Sequence, residues 1–480
     1  MKKLKIFIFN TLILLFSSVI LQVIATFFSV YISNTIGEEA VGVFSLVMSV
    51  YLFGITLASA GINIASTRIV SEELAANNEL GSKTAASRCI FLSLIFGCCA
   101  SLIFFIFADF ITLKCLHNRV SKNVIYLICI ALPFIAMSSA INGYFTAVRR
   151  VYKNALSKFF EEFVKIVCTA FLLSLIMPKG IDYACYSLIL ADVISEVLSF
   201  FALYIFYKYD KRKNLLESRY KDIDSYTKRI LRITIPVALT SYLRSGLSTF
   251  KQLIIPSSLQ RSGMNSSNSL ISYGIVNGMA MPIIMFPVIL VTSISSLLIP
   301  EFSRLYVEKN NVKIKSISII ILSFTLIFAI FITIFIFTCS NFLSTAIYKK
   351  IEIAKYLRIL SPLIIIMYLD IVIDGILKGL DAQVSVMAIN VVDCIISIGF
   401  IYFFVPLLGF SGYIISIFIS EVIDFTLSGL KLLDILKNLK ESNRFDYNQA
   451  SYTFTKFGNI SEGITENNVN LEIEKDNINV

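Results

Sequence analysis

The stretch NALSKFFEEFVKI sets Lys158, Glu161, Glu162 and Lys165 among aromatic and aliphatic neighbours. At 100° per residue, Asn154, Lys158, Glu161, Glu162, Lys165 and Thr169 share one narrow arc of a helix, while Leu156, Phe159, Phe160, Phe163, Val164 and Val167 cover the rest. Lysine and glutamate three or four residues apart can pair, so Lys158 can reach Glu161 or Glu162, and Glu161 can reach Lys165. Such a stripe is either a self-neutralised seam whose lysines snorkel toward water, or the lining of a cavity used in gating or ion coupling.

A second face carries Ser241, Arg244, Ser248 and Lys251 at i, i+3, i+7 and i+10. Arginine offers a planar fork of donors and lysine a compact charge, so two cations flanked by hydroxyls suit a phosphate-bearing ligand. The structural alternative is pairing with carboxylates of neighbouring helices. Those are plentiful: Asp192 and Glu196, Asp370 and Asp374, Asp393, and Glu421 and Asp424, with Lys378 four residues after Asp374. Acids outnumber bases, so some must be protonated, paired across helices or bound to a cation. Proton or sodium coupling is one consequence, and Glu161, Glu162, Lys165 and these acids are its gating and coupling candidates.

The elements that hold these groups must be lipid-solvated. The chain is 56% hydrophobic and 15% charged, with a mean hydropathy of +0.79, values far from those of an ordinary soluble domain. A span needs about 20 apolar residues, and residues 317–338 carry no charge at all. An ionisable side chain at that depth costs about 2.5 to 3.5 kcal/mol on insertion scales, so it normally faces a water path or a partner. The pattern predicts an all-α polytopic membrane protein with about twelve transmembrane helices. Most of the 42 Lys and Arg residues fall in alternate loops and the two termini, which places both termini in the cytoplasm and the chain in the plasma membrane. The net charge of +10 then answers anionic headgroups rather than nucleic acid.

The opening MKKLK is read as the start of a retained first helix, because the apolar run that follows is too long for a signal peptide. Nine scattered cysteines without a CxxC predict neither disulfides nor a metal site, and His117 in a short loop is given no role. LGSKT at 80–84 lacks the upstream glycine of a phosphate-binding loop, and no protease, hydrolase or nucleotide-cassette pattern is present. No enzyme activity and no cofactor are expected.

The basic stretch 208–230 divides the chain into an amino-terminal six-helix lobe (1–207) and a carboxy-terminal one (231–433), followed by a polar tail (434–480) expected to be disordered. An offset of 232 positions pairs Gly42 with Gly274, Gly143 with Gly375, Glu161 with Asp393 and Asp192 with Asp424. This is the pattern of a duplicated bundle with a substrate path between lobes. Pro282 and Pro287 interrupt one long apolar segment and predict bends there, either hinges or static kinks.

The runs NTIGEEAVGVFSLVMSVYLFGITLASAGINIASTRIVSEE, NGYFTAVRRVYKNALSKFFEEFVKI and GMAMPIIMFPVILVTSISSLLIPEFSR resemble the stage V sporulation protein B family. That family consists of polysaccharide-type transporters in the multidrug/oligosaccharidyl-lipid/polysaccharide (MOP) exporter superfamily. The resemblance covers residues 5–433. It places the family's Gly-Tyr-Phe and acidic-pair pattern on Gly143, Tyr144, Phe145, Glu161 and Glu162, and its proline-glutamate pattern on Pro300 and Glu301. It implies a two-lobed exporter, alternating between inward-open and outward-open forms, that moves a lipid-linked polysaccharide or peptidoglycan precursor outward in cell-wall or spore-cortex synthesis. Two departures matter. Lipid II flippases of the superfamily carry arginines in the first two helices, where this chain has no charge from 6 to 33 and no basic residue in the second helix before Arg68. Some relatives also have an extra helix pair where this chain has its polar tail. A cation-coupled multidrug exporter is the main alternative, and a non-transporting envelope scaffold a third.

Overall fold

The computed structural model describes the backbone of residues 2–116, 118–176, 180–212 and 223–476, and the side chains of 16–116, 118–175, 180, 182–210 and 226–438. His117, residues 213–222 of the 208–230 linker and the side chains of the tail beyond 438 lie outside the described residues, so the disorder expected of that tail stays an expectation.

Among the described residues all regular structure is helical. The amino-terminal half comprises α1 (Lys2–Ile36), α2 (Glu38–Ser59), α3 (Ile62–Ala75), α4 (Glu79–Ile106), the single turn α5 (Ala108–Phe110), α6 (Lys122–Ala147), α7 (Val151–Ile176) and α8 (Ile181–Arg212). The carboxy-terminal half comprises α9 (Ile223–Arg261), α10 (Ser266–Gly274), α11 (Met281–Met285), α12 (Val288–Val307), α13 (Asn311–Tyr348), α14 (Ile353–Leu360), α15 (Leu363–Gly379) and α16 (Gln383–Asp476). Apolar side chains cover the outside: Phe331 on α13 stays 65% exposed, as expected of a surface facing hydrocarbon rather than water.

Eight helices among the described residues are long and apolar enough to cross a membrane, or nine if the bent pair α14 and α15 is one span. The chain is therefore multi-pass, although this measure stops short of twelve for physical reasons. The stripe of α7 and the cations of α9 dilute their apolarity. The long apolar segment interrupted by Pro282 and Pro287 is divided among α10, α11 and α12, and only α12 is long enough to count. The last two predicted spans merge into α16, where Gly409 turns the chain with φ 60° and ψ −136° inside one helical run. That conformation is open to glycine and costly for a residue with a Cβ.

The breaks have local causes. Gly61, at φ +79°, separates α2 from α3, and a Cβ there would lie 2.7 Å from the Thr234 carbonyl oxygen of α9. A π-helical turn (Ile275–Ala280) precedes Pro282, which sits in the first turn of α11, and Phe286–Pro287 interrupts the path to α12. Both predicted proline sites thus coincide with irregular backbone. A third break was not anticipated: α14 and α15 meet at 51° across Ser361–Pro362.

The duplication is visible in the packing. A Cβ at Gly143 would lie 2.6 Å from the Asn63 carbonyl oxygen, and one at Gly375 2.9 Å from that of Ser295; residues 63 and 295 are themselves separated by 232. Gly42 presses on the Leu270 carbonyl, and Gly274 presses on that of Glu38, closer than any Cβ could come. Residues 38 and 270 are again counterparts, so the two halves meet through a reciprocal contact of the kind a two-fold axis produces. Around it Ser33 Oγ donates to the Gly278 carbonyl (3.1 Å), Asn34 Nδ2 to that of Ile347 (2.8 Å), and Lys350 pairs with Glu38 (2.7 Å). All of these lie at the end opposite the basic loops, where the halves are closed against each other.

Candidate functional site

α9 is bound to the amino-terminal half by a ladder of hydroxyls. Tyr242 donates to the Leu57 carbonyl (2.9 Å), Ser245 Oγ to Thr56 Oγ1 (3.1 Å) and Thr249 Oγ1 to the Ser49 carbonyl (3.1 Å). In an apolar surround such bonds replace water for each hydroxyl and hold the helices in register. Toward the basic loops Arg229 continues the ladder with ion pairs to Glu72 and Glu73, each at 2.8 Å.

Beside this seam lies a pocket of about 370 Å³ lined by Ser49, Thr56, Ser241, Arg244, Ser248 and Gln252, among others. Arg244 is exposed to it and makes no ion pair among the described residues. The site can offer a guanidinium fork and a ring of hydroxyl and amide groups to a polar anionic ligand. Ser241, Arg244 and Ser248 are brought together as their spacing predicts.

Lys251 is not brought to that pocket. Its Nζ donates to Ser420 Oγ (2.6 Å) and lies 3.6 Å from Asp393, whose carboxylate also accepts from Ser397 (3.1 Å) and Ser420 (2.8 Å). One helical face thus serves two sites, because Lys251 sits at its edge, turned to Ser420 and Asp393 of α16, while Ser241, Ser248 and Gln252 look toward α2. For Lys251 the structural alternative, pairing with a neighbouring acid, is the observed arrangement. Removing one member of a largely buried pair strands the other. Lys251→Met is therefore expected to cost up to about 3 kcal/mol, read as a lower unfolding temperature in detergent, and adding Asp393→Asn should restore most of the loss.

Glu421 and Asp424 flank Asp393 and Lys251. Deeper in the same half, Asp370 lies near Asp424, Asp374 and Glu421, and Asp374 pairs with Lys378 at 3.2 Å. Among the described residues, one oxygen each of Asp370, Asp374 and Asp424 is buried without a hydrogen-bond partner, and Ser428 stands beside Asp370. Buried acceptors without partners are costly unless a proton or cation satisfies them.

The amino-terminal half holds its own cluster. Lys158 pairs with Glu161 (2.7 Å), while Lys165 pairs with Asp192 on α8 (2.5 Å) rather than with Glu161. The other Glu161 oxygen accepts from Ser199 (3.0 Å), and Glu196 and the buried Tyr51 lie beside these acids. Glu162 turns away. With Lys165 it lines a second pocket, about 280 Å³, whose other walls include Ser29 and Ser33 of α1, Ser45 of α2, and Asn277 and Pro282. The stripe is thus part seam and part pocket lining: Glu161 faces α8, whereas Glu162 faces the junction between halves. Pro287 is not in this lining.

Several pocket residues escaped the sequence reading, namely Ser45, Ser49 and Thr56 on α2, Gln252 on α9, and Asn277. Their signal was weak but present, since Ser45, Ser49 and Thr56 recur at helical spacing on one face of an apolar span. Asp210, which gathers Tyr144 (3.1 Å), Lys153 (2.9 Å) and Arg150 at the end of α8, was also missed.

A family model described as polysaccharide biosynthesis protein matches residues 7–306, and one described as MatE matches 236–403. The chain is similar to stage V sporulation protein B of Bacillus subtilis (strain 168), with 22% identity over 444 residues, covering 91% of this chain and 86% of that protein. Among solved structures it is similar to an inward-facing multidrug resistance MATE family transporter of the MOP superfamily (TM-score 0.71, 16% identity, 88% of this chain and 96% of that one). An outward-facing conformation of such a transporter gives a TM-score of 0.64 at 16% identity, over 90% and 96% of the two chains. The fold is shared with these two-lobed transporters.

Proposed function

The chain belongs to the polysaccharide biosynthesis protein family, and from that premise we propose that it is a membrane transporter moving a lipid-linked polysaccharide or peptidoglycan precursor outward by alternating access. The observation that carries this reading is the pocket between α2 and α9, where Arg244, which has no ion pair among the described residues, stands among Ser49, Thr56, Ser241, Ser248 and Gln252. A pyrophosphate engages the guanidinium, and sugar hydroxyls exchange hydrogen bonds with the surrounding hydroxyls and amide. The lipid tail stays in hydrocarbon. Pro282, at the junction pocket, and Pro287 serve as hinge points while the halves rock. Both termini face the cytoplasm of a cell bounded by the plasma membrane, as the basic loops require, so the closed end described above is the outer one. No step in this cycle breaks a covalent bond, in keeping with a family of transporters. The work is done by a gradient, with Glu161, Glu162, Lys165, Asp192 and Glu196 in one half and Asp370, Asp374, Asp393, Glu421 and Asp424 in the other as candidates for proton or sodium coupling.

The test is translocation of a fluorescent lipid-pyrophosphate glycan by the purified chain in liposomes, with and without proton and sodium gradients. Protein-dependent, gradient-sensitive movement of the labelled lipid is the expected result. A second reading, a cation-coupled multidrug exporter, is favoured by the partnerless acids around Asp370 and Asp424. Liposomes that extrude cationic dyes but leave the lipid-linked sugar in place would establish that reading instead.

A further inference from the structure

A third groove, about 530 Å³, lies away from both pockets, between the carboxy-terminal part of α13 and α14. Its walls are Phe337 and Asn341 of α13, Ile351, and Lys355, Arg358 and Ile359. α14 buries Ile353, Ala354, Leu357 and Leu360 against the bundle, which turns Lys355 and Arg358 outward, one helical turn apart. Arg358 Nε donates to Ser340 Oγ (2.7 Å), so its guanidinium is anchored while its terminal nitrogens have no protein partner among the described residues. Lys355 makes no ion pair there, and neither residue pairs with nearby Glu352. Three other cations at this end have acidic partners: Lys350 has Glu38, Arg119 has Glu39 and Lys122 has Asp109.

We propose that this groove binds an anionic phospholipid, its phosphodiester on Lys355 and Arg358 and an acyl chain along Phe337, Ile351 and Ile359. The walls decide the class of ligand. Phe337 and Ile351 are 51% and 64% exposed, so a wholly polar anion would leave them unfilled. A zwitterionic headgroup would bring its own cation toward two cations already present. An amphiphile with net negative charge satisfies both parts of the groove, as basic pockets between transmembrane helices do for acidic lipids. The bend of 51° between α14 and α15 tilts the cationic turn off the span it precedes, where a headgroup can meet it. None of these residues lines the pocket of Arg244, so the lipid site stands or falls independently of the transported substrate.

The purified full-length chain in detergent, titrated with phosphatidylglycerol or phosphatidylcholine and read by native mass spectrometry, tests this. Phosphatidylglycerol should be retained preferentially, about 5-fold more weakly by Lys355→Gln and on the order of 25-fold more weakly by Lys355→Gln with Arg358→Gln. Equal retention of the two lipids, or unchanged retention by the variants, overturns the proposal. Displacement of the lipid by millimolar inorganic phosphate as readily as by phosphatidylglycerol overturns it in favour of a free-anion site. If the double variant fails to fold, Lys355→Gln decides alone, since that side chain is exposed and unpartnered.

Discussion

Arg244→Ala is expected to slow translocation of a lipid-pyrophosphate glycan by roughly 30- to 1,000-fold, the equivalent of about 2 to 4 kcal/mol for a charge-assisted contact in a partly desolvated site. Arg244 makes no ion pair among the described residues, so its removal strands no partner and the unfolding temperature should hold. Arg244→Lys keeps the charge but loses the planar fork and should fall between wild type and alanine. Initial rates in liposomes, with unfolding measured on the same preparations, separate the outcomes. A rate for Arg244→Ala within twofold of wild type removes the phosphate contact from the proposal. Equal loss in the lysine and alanine variants would show that fork geometry, rather than charge, dominates.

Gly42→Val should have the second large effect, on conformation rather than binding. The glycine already presses on the Leu270 carbonyl closer than a Cβ allows, and backbone cannot yield as a flexible side chain can. Overpacking of about 2 to 3 kcal/mol would shift the closed end toward separation by tens of fold. The ion pair of Lys350 with Glu38, 2.7 Å across the junction, provides the readout. Zero-length carbodiimide cross-linking should join these two residues efficiently in the wild type and at least ten-fold less in Gly42→Val. Unchanged cross-linking would mean the glycine contact does not govern closure.

The sequence made the membrane class and most helical elements legible because hydrocarbon imposes one strong rule, length of apolar run, on every span. Helical periodicity likewise exposed the stripe of α7 and the face of α9 that bears Arg244. What periodicity cannot supply is the neighbour across the groove. Lys165 has Glu161 and Glu162 within reach on its own helix, yet it pairs with Asp192 of α8. Lys251 shares a face with Arg244 but is captured by Asp393 and Ser420 of α16. Both choices depend on how helices cross, which is set by small residues and backbone contacts far along the chain. Pro362 shows the opposite limit. A proline inside an apolar segment does not say whether the helix bends sharply or continues, so the break between α14 and α15 is set by the packing around Pro362 rather than by the residue alone.

The reciprocal contact of Gly42 with Leu270 and of Gly274 with Glu38 is what a homodimer makes of itself, here carried within one polypeptide. Identical subunits must carry identical charges at equivalent positions. Joining the copies removes that restriction, and the chain has used the freedom. One half balances Glu161 and Asp192 with lysines on its own α7. The other has Asn390 and Ser397 where those lysines stand in its twin, and takes its cation from α9 instead. A symmetric scaffold thereby acquires two electrically unlike sides.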